Sequence, residues 1–199
     1  MNYIIAGTSR CGKTMLTNKI IKELKGFSKI SIDNIIGSFE HALPQVDINF
    51  KNGKGNNKFL PEFIDDFLIG AMDKDNDMGL YYILEGDGLP FSKLLKLNKN
   101  KNIKLIILGK ASICLKDYFD ETRYYEGKYL YSEWTKYLSD SELKVNCENW
   151  INRSKEYQRL CNENDVDFYD TSYKQQEVVN KIFEKIKDFE ENKNDFNNN

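Results

Sequence analysis

The chain is poor in the residues that build zinc sites, disulfide frameworks and nucleic-acid surfaces. It has a single histidine, His41, and its four cysteines, Cys11, Cys114, Cys147 and Cys161, form no CxxC or Cys/His pair. That spacing argues against a zinc site, and a chain of 199 residues does not need a disulfide scaffold, so reduced thiols are expected. Arginine occurs only at Arg10, Arg123, Arg153 and Arg159. Lys+Arg 29 against Asp+Glu 31 leaves a net charge of -2, which gives no overall basic field for nucleic acid. No apolar run approaches the length of a membrane span, and the first predicted strand starts at the second residue, leaving no room for a signal peptide. The expectation is a soluble, cytoplasmic protein.

What is present suits a globular core: 40% hydrophobic and 13% aromatic residues. The length suits one domain over residues 1–191, with a low-complexity, frayed tail at 192–199. Asn2–Ala6 reads as a buried strand, followed by helical spacing at Met15, Leu16, Ile20 and Leu24. Further strands are predicted at Ser28–Ile32, Leu80–Leu84, Ile103–Leu108 and Val166–Tyr169. Helical patterns run through Ile35, Ile36 and Phe39, from Pro61 through Phe63, Phe67, Leu68 and Met72, and from Pro90 with Leu94, Leu95 and Leu97 inward. Asn49–Lys58 is Gly/Asn-rich and reads as a loop. Ser139–Glu142 offers a capping box for a long helix with the stripe Leu143, Cys147, Trp150, Ile151, Tyr157 and Cys161. A last helix turns Val178, Val179, Ile182, Phe183 and Ile186 inward. Strands alternating with helices predict an α/β fold, a parallel sheet covered on both faces.

Between the first strand and the first helix stands Gly7-Thr8-Ser9-Arg10-Cys11-Gly12-Lys13-Thr14. It fits G-x-x-x-x-G-K-[ST], a loop whose backbone N–H groups cradle phosphate while the lysine reaches the outer phosphates and the hydroxyl ligates Mg²⁺. Placement at a helix N-terminus supports that reading, because unpaired N–H groups and the helix dipole both favour an anion there. The same placement predicts a lowered pKa and easy oxidation for Cys11.

In a parallel sheet, ligands gather beyond the carboxyl ends of the strands, which selects the loop, Asp33 after the second strand, and Glu85 and Asp87 after the third. Glu85 is placed to hold Mg²⁺, together with Thr14. Asp33 is placed either to take a proton from a hydroxyl or to cap the following helix. Arg123 or Arg153 is a candidate to lean over a transferring phosphoryl group. The aromatic stretch Tyr124, Tyr125, Tyr129, Tyr131 and Trp134 either packs within its own flap or stacks a base.

These residues resemble the P-loop small-molecule and nucleotide kinases of the adenylate kinase type. Leu84-Glu85-Gly86-Asp87-Gly88-Leu89-Pro90 is similar to the Leu-Asp-Gly-x-Pro stretch of adenylate kinases, with Glu85 in the place of their metal-associated aspartate. Ser31-Ile32-Asp33 resembles the second-strand tip of chloramphenicol phosphotransferases and shikimate kinases, where the aspartate meets the acceptor hydroxyl. The resemblance implies a P-loop NTPase fold with a five-stranded parallel sheet, an acceptor-binding insertion around 40–78 and a lid around 119–139. It also implies ATP and Mg²⁺, and that the loop near Asp170 and Thr171 borders the adenine.

One departure bears on the acceptor. Phe91 stands where adenylate kinases carry the arginine that clamps the acceptor's phosphate, and no arginine occurs from Phe27 to Thr122. Lysine is a point charge and not a bidentate fork. The expectation is therefore transfer from ATP to the hydroxyl of a small molecule. The alternatives are a nucleoside monophosphate kinase with a clamp of Lys51, Lys54 or Lys58, and an ATP-binding regulatory switch.

Overall fold

The computed structural model describes residues 1–42, 70, 78–87, 89–128 and 130–197. Its elements are β1 (Asn2–Gly7), α1 (Lys13–Glu23), β2 (Phe27–Ser31), α2 (Ile32–Ala42), β3 (Tyr81–Gly86), α3 (Phe91–Asn98), β4 (Ile103–Gly109), α4 (Leu115–Tyr125), a 3-10 segment (Leu130–Tyr137), α5 (Asp140–Glu163), β5 (Phe168–Asp170) and α6 (Gln175–Asn197). The five strands form one sheet in the order β2-β3-β1-β4-β5, and every pairing is parallel.

The sheet reads as continuous apolar runs because both of its faces are covered. Side chains alternate along β1: Tyr3 and Ile5 join Leu16 and Ile20 of α1 and Val179, Ile182 and Phe183 of α6. Ile4 and Ala6 point the other way, into a cluster with Ile32, Leu94, Leu97, Leu105, Ile107, Tyr157 and Cys161. A third cluster, Ile113, Tyr118, Leu143, Cys147 and Ile151, fastens α4 to α5. Each fully buried aliphatic side chain contributes roughly 1.5–3 kcal/mol.

Several boundaries differ from the sequence reading. β2 starts at Phe27 and stops at Ser31, so Ile32 opens α2 and is buried there at 1% exposure. Leu80 lies outside β3 and is 44% exposed. In α1 the inward positions are Leu16, Thr17 and Ile20, and Met15 faces outward. In α3 Lys93, not Leu95, joins Leu94 and Leu97 in the buried set. Such shifts come from helix phase, which is set by where the helix starts against the sheet. The capping box at Ser139 and Glu142 is present with both of its hydrogen bonds. α6 continues to Asn197, into the stretch where fraying was expected.

Most of the stretch 40–78 falls outside the described residues, including Lys51, Lys54, Lys58 and the helix predicted from Pro61. Among the described residues, no helix is long and apolar enough to cross a membrane.

Candidate functional site

The Gly7–Thr14 loop is held on all sides by distant parts of the chain. Gly7 leaves the sheet pressed against β4, and a Cβ there would lie 2.0 Å from the Leu108 carbonyl oxygen, so only glycine fits. The Ser9 carbonyl accepts a 2.5 Å hydrogen bond from the hydroxyl of Tyr118 on α4. Burial pushes the Tyr118 phenol far above its usual pKa, which keeps that proton in place. Thr171, after β5, donates to the Cys11 carbonyl at 2.9 Å and to that of Gly109 at 3.2 Å. Thr171 thus braces the loop from below.

Ser154 is the fourth brace and is fully buried. Its hydroxyl donates to Trp150 O at 2.8 Å, which leaves lone pairs for the Lys110 N–H at 3.0 Å and the Thr8 hydroxyl at 2.8 Å. Ser154→Ala would strand two buried donors. Stability is expected to fall by about 1–3 kcal/mol, read as a lower Tm. An unchanged melt would contradict this account of the hub.

Gly12 caps α1 in the left-handed region at φ 97, with no side-chain capping bond, so the first turn of N–H groups faces the loop's concavity. Lys13 is 8% exposed and curls back to donate to Thr8 O at 2.6 Å. Burial disfavours its ammonium, but Cys11, Asp87, Glu85 and Asp33 outweigh that effect and the pKa is raised. Cys11 overturns the expectation of a reactive thiol. It is fully buried, and burial raises its pKa more than Lys13 and the loop lower it.

Asp33 is brought against the tip of β3, which carries Glu85 and Asp87, and all three carboxylates raise the Lys13 pKa. Gly86 permits this approach, since a Cβ there would lie 2.7 Å from Ile32 Cβ and 3.4 Å from Asp33 Oδ1. Asp33 is not the helix cap. Ser31 accepts the Asn34 N–H at 3.3 Å, and Asp33 occupies the first turn of α2. Its carboxylate takes the Asp87 backbone N–H instead. Although the residue is exposed overall, partial desolvation of its carboxyl, with Glu85 and Asp87 nearby, raises its pKa against the opposing pull of Lys13 and that hydrogen bond.

Glu85 is 3% exposed and accepts from Thr14 Oγ1 at 3.1 Å. A buried carboxylate beside a hydroxyl is an all-oxygen donor set, and it fits a hard divalent cation such as Mg²⁺. Among the described residues, no group of three or more His, Cys, Asp and Glu is placed to hold a metal. Further ligands for such an ion would thus come from phosphate and water.

The arginines divide. Arg153, on α5 and not in the lid, bonds Asp87 Oδ1 at 2.7 Å and the Tyr157 hydroxyl at 3.0 Å, which brings it to the strand tips. Burial and Asp87 push the Tyr157 phenol up to about 12. Arg123 lies in the predicted lid, but its guanidinium engages Glu126, Asp140 and the carbonyls of Thr135 and Leu138, closing that segment on itself. Arg10, with φ 54, reaches Thr135 Oγ1 at 2.6 Å and joins loop to lid. Arg159 pairs with Glu156 and Glu163 on the surface of its own helix. Trp134 stands edge-on to Trp150 at 5.9 Å, a packing contact within the fold.

Sequence reasoning missed Ser154, Tyr118, Lys110 and Lys29. Ser154 alone carried a signal, as a small polar residue at a core-facing position between Ile151 and Tyr157. Lys110 is fully buried, with both oxygens of Glu121 at 2.5 Å, and so ties β4 to α4.

No family model matches this chain, and no curated protein matches it. Among solved structures it is similar to shikimate kinase from Bacteroides thetaiotaomicron, with TM-score 0.57 and 14% identity over 94% of this chain and 98% of that one. It also aligns with dephospho-CoA kinase from Campylobacter jejuni, with TM-score 0.45 and 16% identity over 93% and 96% of the two chains. At such identities the first likeness speaks to fold alone. The chain shares its fold with that shikimate kinase, a five-stranded parallel α/β sheet with a glycine-rich loop between the first strand and the first helix.

Proposed function

We propose that the protein transfers the γ-phosphoryl group of ATP to the hydroxyl of a small molecule. The observation that carries the reading is the meeting of the second- and third-strand tips beside the loop: a Cβ on Gly86 would lie 3.4 Å from Asp33 Oδ1, and the neighbouring Glu85 accepts from Thr14 Oγ1 at 3.1 Å. In this reading the N–H groups of Thr8 to Thr14 bind the phosphates, and Lys13 follows the outer ones. Thr14 and Glu85 hold Mg²⁺, which when bound neutralises charge on the β- and γ-phosphates. Asp33 orients the acceptor and receives its proton as the acceptor oxygen bonds to phosphorus. The bond from phosphorus to the β–γ bridging oxygen breaks, and ADP leaves. Arg153 lends positive charge from beside Asp87, Arg123 holds the lid segment in shape, and Thr171 keeps the loop fixed.

The acceptor is neutral at its reacting end. Two carboxylates, Asp33 and Asp87, stand at the strand tips, and Arg153 is already paired there with Asp87. Among the described residues at these tips, a second phosphate would find little to bind it.

The test is single-turnover [γ-³²P]ATP with a panel of hydroxylated metabolites and nucleoside monophosphates. Label is expected on a neutral hydroxyl compound. Label on a monophosphate would instead support the lysine clamp. Release of phosphate alone, at a rate set by a partner protein, would sink the kinase reading in favour of a switch.

A further inference from the structure

Lys29 lies on β2 on the same face as Ser31, whose register partner on β3 is Glu85. Its Nζ stands 2.5 Å from Glu85 Oε2, while Thr14 donates to Oε1 at 3.1 Å. Each carboxylate oxygen therefore has its own partner, and the plane of the group is set by both. A carboxylate as deeply buried as Glu85 needs a compensating charge, because an unpaired buried ion is strongly disfavoured. Lys29 supplies that charge. Its side chain is 27% exposed, so the ammonium keeps a path to solvent along its flexible stem.

The consequence concerns charge. One carboxylate and one ammonium sum to zero, so a free divalent cation gains little at this corner. Mg²⁺ gives up its waters reluctantly and is usually held by one or two carboxylates together with substrate phosphates. We propose that Lys29 is a positioning residue and built-in counter-cation of the Thr14–Glu85 corner, aiming Glu85 at Thr14 and making metal loading conditional on nucleotide phosphate. The proposal rests on the reading of Thr14 and Glu85 as metal ligands. When polyphosphate enters the loop, its charges tip the balance that Lys29 holds in the empty site.

Mn²⁺ serves as the probe, with binding to the 199-residue chain followed by the EPR signal of the free ion, with and without a non-hydrolysable ATP analogue. The wild-type protein is expected to bind Mn²⁺ only with the analogue. Lys29→Met keeps the apolar stem and removes the charge. It is expected to bind Mn²⁺ without nucleotide roughly tenfold or more tightly than wild type, and Glu85→Gln on that background should abolish the gain. Lys29→Gln is the second neutral variant should the first fail to fold, and Lys29→Arg should retain the nucleotide requirement. Tight nucleotide-free binding by the wild-type or Arg protein would overturn the proposal. So would neutral variants no tighter than wild type, or a gain that survives Glu85→Gln. No acceptor enters this assay, so an error about the acceptor leaves its outcome intact. Absence of Mn²⁺ binding even with the analogue is a separate signature, in which the metal site itself is wrong and the proposal falls with it.

Discussion

Lys13→Met is expected to lower the turnover of γ-labelled ATP by roughly 10²–10³-fold while leaving the protein folded. Its ammonium sits inside the cradle on Thr8 O at 2.6 Å, and its raised pKa keeps it charged throughout the neutral range. Methionine preserves most of the stem and its packing but cannot follow charge onto a leaving phosphate. Folding loses the donor to Thr8 O and a charge that the raised pKa shows to be favoured in the folded state, so stability is expected to fall by about 1–3 kcal/mol. A melt and a single-turnover assay on the same preparation separate the two effects. A loss below tenfold with an intact melt would remove Lys13 from the transition state.

Asp33→Asn is expected to cost roughly 10²–10⁴-fold in kcat, the range for a removed general base, with the Tm unchanged or higher. The sign of the stability effect follows from its pKa. Folding raises the carboxyl's pKa, so the folded chain holds this proton more tightly than the unfolded chain. The stability so gained is complete below the ordinary carboxylate pKa and is lost as pH rises through the folded value. At neutral pH the folded protein bears the cost of the ionised form, and asparagine escapes it. Because Asp33 is exposed, solvent screens the effect and the rise is small. The acid limb of the kcat profile should lie above the usual carboxylate range. Glu85→Gln should move that limb to lower pH, and Lys13→Met should move it higher, because Glu85 raises the Asp33 pKa and Lys13 lowers it. A limb unmoved by either change would show that another group sets it.

The loop, the strand tips and the alternation of elements were legible because each is written in local order. A glycine-rich loop between an apolar run and a helical stripe needs no distant partner to be recognised. Asp33 and Glu85 were singled out by a rule about strand ends, and Asp33 does lie against Gly86, the residue after Glu85. Errors came where a local cue had two outcomes. Cys11 sits at a helix N-terminus, which lowers a thiol's pKa, yet it is wholly buried, which raises it, and burial wins. Arg123 was a candidate to lean over a transferring phosphoryl group, but carbonyls and carboxylates in and next to its own segment engage its guanidinium.

Local pattern, then, settled the class of fold and the place of the glycine-rich loop between the first strand and the first helix, since backbone propensity and side-chain period act over a few residues. The bracing of the loop was settled elsewhere. Ser154 meets Thr8 across 146 residues of chain, Thr171 meets Cys11 across 160, and Tyr118 meets Ser9 across 109. The pairing of Lys29 with Glu85 and that of Arg153 with Asp87 likewise depend on which strands and helices become neighbours. Such contacts follow from the sheet order β2-β3-β1-β4-β5 and from the packing of α5 against it, and burial of apolar faces selects both across the whole chain at once.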